Sequence, residues 1–295
     1  MRPTVYRVDP PPRHERRDVA TALGVCETSP MMIVAIAAVL YLIATGLLVR
    51  AVGSDAPRPG HGWLWAALPA GALHALYHVQ VALQNSGGPD MHFFAALSLV
   101  GLGMAALTTV VGARGRMAAL GVVVFPLAAL LLVAYHGYGH EPGRELGWRL
   151  ASHAWLALLS YATLSIAALL AIMQWLQERA LRRRHFQPWL RALPPLADLE
   201  SLLFRVITVG FALLTLTLVT GVLFVDDLLA QKLVHKTVLS VLSWIVFGVL
   251  LIGRHRYGWR GLKAVHWTLS AMLLLLLAFF GSQFAIELVF RHTTG

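Results

Sequence analysis

Two ionisable side chains, His235 and Lys236, stand at the start of an apolar run that continues to Gly253. A helix of about 20 residues crosses a hydrocarbon core of about 30 Å at 1.5 Å per residue. An imidazole can bind a metal or carry a proton, and an ammonium can bind an anionic group. Because an ionisable group inside a span must face protein or a wet cavity, His235 and Lys236 are candidate site residues.

Helical spacing gives this run two stripes. Lys236, Ser240, Ser243 and Phe247 share one of them, and the stripe that contains His235 lies beside it. The mixture of polar and aromatic residues on the Lys236 stripe predicts that this side of the helix faces other helices of the same protein.

A second pair of histidines, His74 and His78, lies four residues apart in the stretch from residue 62 to 84. Residues at this spacing share a helix face, and His74 lies near the middle of the predicted span. A buried histidine is often a hydrogen-bonded packing residue. At this depth, ligation of a metal or relay of a proton are the alternatives to packing.

His153 opens another apolar segment, one turn below its end, and Ser160 lies on the same face. His235 stands at a matching depth in its own helix. Two imidazoles at one level could ligate a haem iron from both axial faces, or one could ligate while the other donates a hydrogen bond. The alternative is a polar network that joins His153, His235 and Lys236 to the loop containing Asp226 and Asp227.

The composition sets the class of protein that must position these side chains. Of 295 residues, 58% are hydrophobic and 13% are charged, against about 25% charged residues in soluble proteins. The net charge of +10 comes from basic residues in short loops, which indicates membrane topology rather than nucleic-acid binding. The single cysteine, Cys26, excludes an internal disulfide, a CxxC redox pair and a CxxCH haem-attachment motif.

Eight apolar segments follow a polar N-terminal stretch and predict an all-α fold, a bundle of eight transmembrane helices. Residues 1–31 are expected to be a disordered tail or to precede the native start, and residues 32–295 to form one transmembrane domain. The segments cover residues 32–52, 62–84, 91–112, 117–136, 149–177, 200–225, 233–253 and 263–288.

Basic residues in alternate loops predict the orientation. Thirteen lie in one set: Arg50, Arg58, Arg114, Arg116, Arg179, Arg182, Arg183, Arg184, Arg191, Arg254, Arg256, Arg260 and Lys263. The opposite set has four, namely Arg144, Arg149, Lys232 and Arg291. The positive-inside rule assigns the first set to the cytoplasm, so both ends of the 32–295 domain are expected outside.

Three runs of sequence carry a resemblance to a known family. They are HAWLALLSYA from His153, LPPLADLESLLFRVITVGFALLTLTLVTG over 193–221, and KTVLSVLSW over 236–244 with GWRG and FFGSQF downstream. The chain resembles the cytochrome c assembly family of haem-handling membrane proteins, of the CcsA/CcmC type. The likeness is nearest to the YpjD/HemX-like inner-membrane branch and is concentrated over residues 149–284.

The resemblance implies a bacterial inner-membrane protein that binds haem without a covalent bond, as b-type haem, and works with other cytochrome c biogenesis proteins. The family's axial histidine maps onto His153, and an intramembrane histidine of the YpjD branch maps onto His74. Where the family has a tryptophan-rich run ending in WDPKE, this chain reads LVHKT over 233–237, which keeps Lys236 and the downstream Trp244. His153, His74 and His235 are therefore the expected ligands, with Lys236 beside a propionate.

Two other functions remain open on the sequence. One is a membrane scaffold or regulator that keeps the fold and binds no haem, which the loss of the tryptophan cluster would permit. The other is a transporter or accessory subunit that uses the His74 and His78 stripe as a polar path. No motif for soluble-enzyme chemistry is present, so we expect no bond-making step by this chain.

Overall fold

The computed structural model describes residues 29–53, 60–84, 90–113, 118–139, 147–183, 195–224 and 231–291, except for the side chains at 52, 53, 118, 231–233, 235 and 280–291. These residues form eight α-helices and one short 3₁₀ helix, His61–Trp63. The α-helices are α1 (Pro30–Gly53), α2 (Leu64–Gln84), α3 (Phe93–Gly112), α4 (Ala118–Tyr138), α5 (Trp148–Arg182), α6 (Leu196–Phe224), α7 (Gln231–Tyr257) and α8 (Gly261–Arg291).

The predicted all-α bundle is confirmed, with one helix at each predicted segment. A helix satisfies its backbone hydrogen bonds internally, which is required in hydrocarbon. In the described part of the chain, every helix except α2 is long and apolar enough to cross a membrane. The 21 residues of α2 match the length of a span, but its polar side chains His74 and Gln80 lower its hydropathy, and both are buried against other helices.

The helices form two groups of four. In the first group, α1 packs against α2 and α4, and α3 packs against α4 and α2. In the second group, α5 packs against α6 and α8, and α7 packs against α8 and α6. The groups meet where α3 packs against α5. At this contact a Cβ added to Gly103 would lie 2.9 Å from the Cβ of Ala162, so the two helices approach closely.

Successive helices run in opposite directions, which gives the bundle two ends. One end, called the basic end, holds Arg50, Arg179, Arg182, Arg254 and Lys263 at helix termini. At this end the buried carboxylate of Glu200 accepts hydrogen bonds from Arg254 (2.6 Å) and Arg260 (2.9 Å). The candidate site residues lie in the middle of the bundle or toward the opposite end.

The fourth helix extends two residues beyond the predicted segment 117–136, to Tyr138, and His136 lies in its last turn. There the Tyr77 hydroxyl lies 2.8 Å from His136 Nδ1. His140, Asp226 and Asp227 lie outside the described residues, as does the N-terminal tail up to residue 28.

Candidate functional site

A cavity of about 290 Å³ lies inside the second group, toward the end opposite the basic end. All four helices of the group line it, and we call it the His153 cavity. Its polar lining comprises His153, Ser160, Tyr161, Thr217, Lys236, Thr237 and Ser240. The rest of the wall is mainly apolar, with Leu214, Val222, Leu275 and Phe279 among its residues.

Thr220 on α6 favours a proton on Nδ1 of His153. The Thr220 hydroxyl donates to backbone carbonyls of α6, at 2.9 Å from Leu216 O and 3.0 Å from Thr217 O. Its single proton is therefore used, so toward His153 Nδ1, 3.2 Å away, Oγ1 acts as an acceptor. The neutral ring is then protonated at Nδ1 and keeps its lone pair on Nε2, the arrangement seen in metal-binding histidines.

Gly221 provides the space for the His153 ring. A Cβ added at this position would lie 3.2 Å from His153 Cε1 and 3.6 Å from Nδ1. The ring therefore rests directly against the backbone of α6, and a larger residue at 221 would displace it. The pair Thr220 and Gly221 both orients and supports this imidazole.

Lys236 lines the same cavity as His153. Its side chain is exposed, and among the described residues no carboxylate lies within ion-pair distance of it. The predicted stripe on α7 is confirmed. Lys236 and Ser240 line the cavity, and Ser243 and Phe247 below them are fully buried. The side chain of His235 lies outside the described residues.

An aromatic contact joins α6 and α7 on the side of the cavity that faces the membrane centre. The Trp244 ring stacks on Phe211 with centroids 5.6 Å apart, and its Nε1–H donates to Thr215 Oγ1 at 2.9 Å. Above this contact Val222 on α6 and Val241 on α7 both line the cavity and are exposed. The mouth of the cavity therefore lies between α6 and α7.

His74 lies in the first group and does not line the His153 cavity. The side chain is fully buried, and both ring nitrogens have partners: the Tyr41 hydroxyl is 3.3 Å from Nδ1, and Ser98 Oγ is 2.9 Å from Nε2. Ser98 Oγ is also 3.0 Å from His78 Nε2. We call Tyr41, His74, Ser98 and His78 the His74 chain.

Aromatic and acidic residues continue from His78 toward the end opposite the basic end. The His78 ring stacks on His74 (5.5 Å between centroids) and on Tyr135 (4.9 Å). The Tyr135 hydroxyl donates to the buried carboxylate of Asp90 at 3.2 Å, and Asp90 pairs with His92 at 2.6 Å. The shared face predicted for His74 and His78 is confirmed by their stacking.

Of the predicted site residues, the structure brings His153 and Lys236 together and places His74 in the other helix group. Sequence reasoning did not identify Thr220, Gly221, Ser98 or Tyr41. Small hydroxyl residues and glycines are common in spans, so their roles become visible only once the histidine beside them is placed. Among the described residues no group of three or more His, Cys, Asp and Glu is arranged to hold a metal ion.

Comparisons with known proteins extend over most of the chain. The family described as Cytochrome C assembly protein matches residues 67–290, which adds α2 to α4 to the region of expected likeness. Inner membrane protein YpjD of Escherichia coli K12 is 30% identical over 268 residues, covering 88% of this chain and 97% of YpjD. No solved structure matches the chain.

Two further relatives match about two fifths of the chain. Protein HemX of Brevibacillus brevis is 33% identical over 134 residues, which is 45% of this chain and 49% of HemX. Cytochrome c biogenesis protein CcsA of Chlamydomonas reinhardtii is 26% identical over 126 residues, or 41% of this chain and 34% of CcsA.

Proposed function

Because this chain belongs to the cytochrome c assembly family, we propose that it binds b-type haem non-covalently in the His153 cavity and serves cytochrome c biogenesis. The observation that carries the proposal is the 3.2 Å contact of His153 Nδ1 with the Thr220 hydroxyl, because an Nδ1 proton directed to that oxygen leaves the lone pair on Nε2. A neutral imidazole nitrogen of this kind is the axial ligand that haem iron takes in many proteins.

The residues that line the cavity are chemically suited to haem. The wall of the cavity is mainly apolar and suits a macrocycle, and Lys236 at the mouth supplies a cation for a propionate carboxylate. The volume of about 290 Å³ lies just below the roughly 300–1,000 Å³ typical of ligand pockets. A ligand larger than this volume would extend into the mouth between α6 and α7.

Each residue has a defined task in this proposal. His153 would ligate the iron, Thr220 would fix the tautomer of its ring, and Gly221 allows the ring to rest on α6. His235, the neighbour of Lys236 on α7, is the proposed second ligand. Bound haem would supply an iron centre that accepts and releases one electron. His74 stays a predicted ligand, with both of its nitrogens engaged in the structure described here.

The membrane setting follows from the helices and from the arginine count. The protein is a multi-pass membrane protein, and we place it in the bacterial inner membrane with the basic end in the cytoplasm. The His153 cavity then lies in the outer half of the bilayer. Its proposed partners are the lipid bilayer, haem and other cytochrome c biogenesis proteins, and nucleic acid is not among them.

The test is an absorbance measurement on the full chain purified in detergent after expression with ample haem. We expect a reduced-minus-oxidised haem spectrum from the wild type, and loss of most of the bound haem in His153→Ala, because the ligating nitrogen is removed. His266→Ala is the matched control, since His266 is exposed on α8 toward the basic end. It should retain wild-type haem content.

A folded wild-type protein that takes up no haem under these conditions would contradict the proposal. The scaffold or regulator function would then explain the fold. Retention of full haem in His153→Ala would contradict the assignment of His153 and direct attention to His74, which a His74→Ala variant then tests.

A further inference from the structure

We propose that a pocket at the basic end, between α5 and α8, binds the phosphate head group of one anionic glycerophospholipid. The pocket has a volume of about 390 Å³, and we call it the arginine pocket. It lies at the other end of the second group from the His153 cavity, so the proposal does not depend on haem binding. Its lining comprises Trp175, Glu178, Arg179, Arg182, Arg183 and Leu262.

The charges that line the arginine pocket favour an anion. Three guanidinium groups and one carboxylate leave a net charge of 3 − 1 = +2. The carboxylate of Glu178 is already paired, since its Oε1 accepts from Arg182 at 2.7 Å and its Oε2 is buried. In the described part of the chain, no carboxylate lies within ion-pair distance of Arg179 or Arg183. Two guanidinium groups are therefore available, and the paired N–H donors of such groups match phosphate oxygens.

An aromatic ring holds one of these guanidinium groups at the pocket wall. Arg179 Cζ lies 5.2 Å from the centroid of the Trp175 ring, one turn deeper on α5. A cation–π contact of this kind restricts a long side chain before any ligand binds, so less entropy is lost when it binds. Tryptophan is also common at the boundary between hydrocarbon and head groups, which is the depth where a lipid phosphate lies.

The first turn of α8 forms the opposite wall. The structure places this turn against α5, because a Cβ added to Gly261 would lie 3.6 Å from Glu178 Oε2. Leu262, the second residue of α8, lines the pocket. The first N–H groups of a helix have no partner within the helix and carry partial positive charge. The start of α8 therefore adds to the field that the arginines produce.

An exposed apolar stripe on α5 favours a lipid over a soluble phosphate. Ile172 and Leu176 are 38% and 41% exposed. They precede Arg179 and Arg183 at spacings that place all four residues on one face of α5. This face thus runs from apolar side chains to guanidinium groups toward the basic end. A glycerophospholipid has the same order, with acyl chains in the hydrocarbon and a phosphate at its edge.

Arginines that only set the topology would need no shared pocket. Each would extend separately into the head-group layer along its own helix. In this chain three arginines of α5 meet the start of a second helix around one recess. Basic pockets between transmembrane helices on the cytoplasmic side are known binding sites for anionic lipid head groups.

The test is native mass spectrometry of the full chain in a non-ionic detergent, titrated with phosphatidylglycerol. Phosphatidylcholine with the same acyl chains is the neutral probe. We expect one phosphatidylglycerol to bind about tenfold more tightly than phosphatidylcholine, because the choline cation is repelled by the arginines. Arg179→Gln should lower the affinity for the first phosphatidylglycerol about tenfold, because it removes one charge-assisted contact.

Arg256→Gln is the matched control. Arg256 is exposed in the last turn of α7 and does not line the arginine pocket, so the substitution removes the same charge at the same end of the bundle. This variant should keep the wild-type affinity for phosphatidylglycerol. If Arg179→Gln does not fold, Arg183→Gln removes the other unpaired guanidinium group and should weaken binding in the same way.

A competition experiment separates a lipid from a soluble phosphate. Inorganic phosphate in excess should displace the bound phosphatidylglycerol no better than sodium chloride of equal ionic strength, because phosphate makes no contact with Ile172 and Leu176. Specific displacement by phosphate would overturn the lipid assignment and show a site for a soluble anion.

Two other results would also overturn the proposal. Equal affinities for the two lipids would show that the pocket does not select an anionic head group. Equal losses of phosphatidylglycerol binding in Arg179→Gln and Arg256→Gln would show that the basic end attracts anionic lipid as a whole, with no site between α5 and α8.

Discussion

At the scale of single residues, Thr220 governs the chemistry of His153 although it carries no charge. Its hydroxyl proton is directed to the α6 backbone, which leaves its oxygen as an acceptor for the imidazole. A partner of this kind fixes ring orientation and tautomer, and loss of such a partner typically lowers metal affinity about 10–100-fold. The site thus depends on a residue that never needs to touch the ligand.

Replacement of Thr220 by valine tests this role, since valine keeps the shape and removes the acceptor. We expect haem affinity to fall by about tenfold or more, because Nδ1 and Nε2 then compete for the proton. Haem titration followed by absorbance measures the change. Thr220→Ser keeps the hydroxyl and should stay near wild type, and equal affinities in the two variants would contradict the role.

The sequence predicts the histidines of both sites but not their partners. An ionisable residue in an apolar run is conspicuous, and that is how His153 and His74 are found. Ser and Thr in helices usually donate to their own backbone, as Thr163 and Thr208 do here. Ser98, which bonds two rings on another helix, looks the same in the sequence, so its role cannot be predicted without the packing of α2 on α3.

At the scale of elements, the GWRG run is a structural turn between α7 and α8. Gly258 and Gly261 both have positive φ, at 63° and 59°, a region that favours glycine. The turn carries Arg260 to Glu200 on α6, where Arg254 of α7 also binds. The resemblance identified this motif from the sequence, but its task, to join three helices at one carboxylate, depends on the third helix and is invisible along the chain.

Glu200→Gln tests how much these ion pairs of Glu200 stabilise the bundle. We expect a loss of about 2 kcal/mol in the free energy of unfolding, because Arg254 is left without its counter-charge while partial exposure of its side chain limits the cost. Thermal unfolding in detergent, followed by circular dichroism, measures the change. Glu178→Gln is the control, since its partner Arg182 is 69% exposed, and it should cost less than about 1 kcal/mol. Equal losses of stability in the two variants would contradict this role of Glu200.

At the scale of the whole molecule, the bundle consists of two four-helix groups, each with its own polar centre. Hydropathy predicts the number and order of the helices well, because each span must be apolar over a fixed length. It does not predict which helices are neighbours, since lipid-facing and protein-facing apolar residues look alike. The contact of α3 with α5, at which the two groups meet, is therefore visible only in the structure.

A compensating pair of substitutions tests this contact. Gly103→Ala places a Cβ 2.9 Å from the Cβ of Ala162, and we expect it to cost about 1–3 kcal/mol of stability through overpacking. Adding Ala162→Gly removes the opposing Cβ, so the double variant should recover part of this loss, as unfolding temperatures would reveal. Strictly additive effects would contradict the close approach.

The position of its mouth determines which ligand concentration sets the occupancy of the His153 cavity. Val222, which lines it, is 68% exposed near the end of a helix long and apolar enough to cross the membrane, so we expect the entrance to open toward lipid. A ligand that enters there comes from the bilayer, in which it diffuses laterally. The occupancy of the site then follows the number of ligand molecules per lipid, and the volume of the surrounding water matters only through partition into the bilayer.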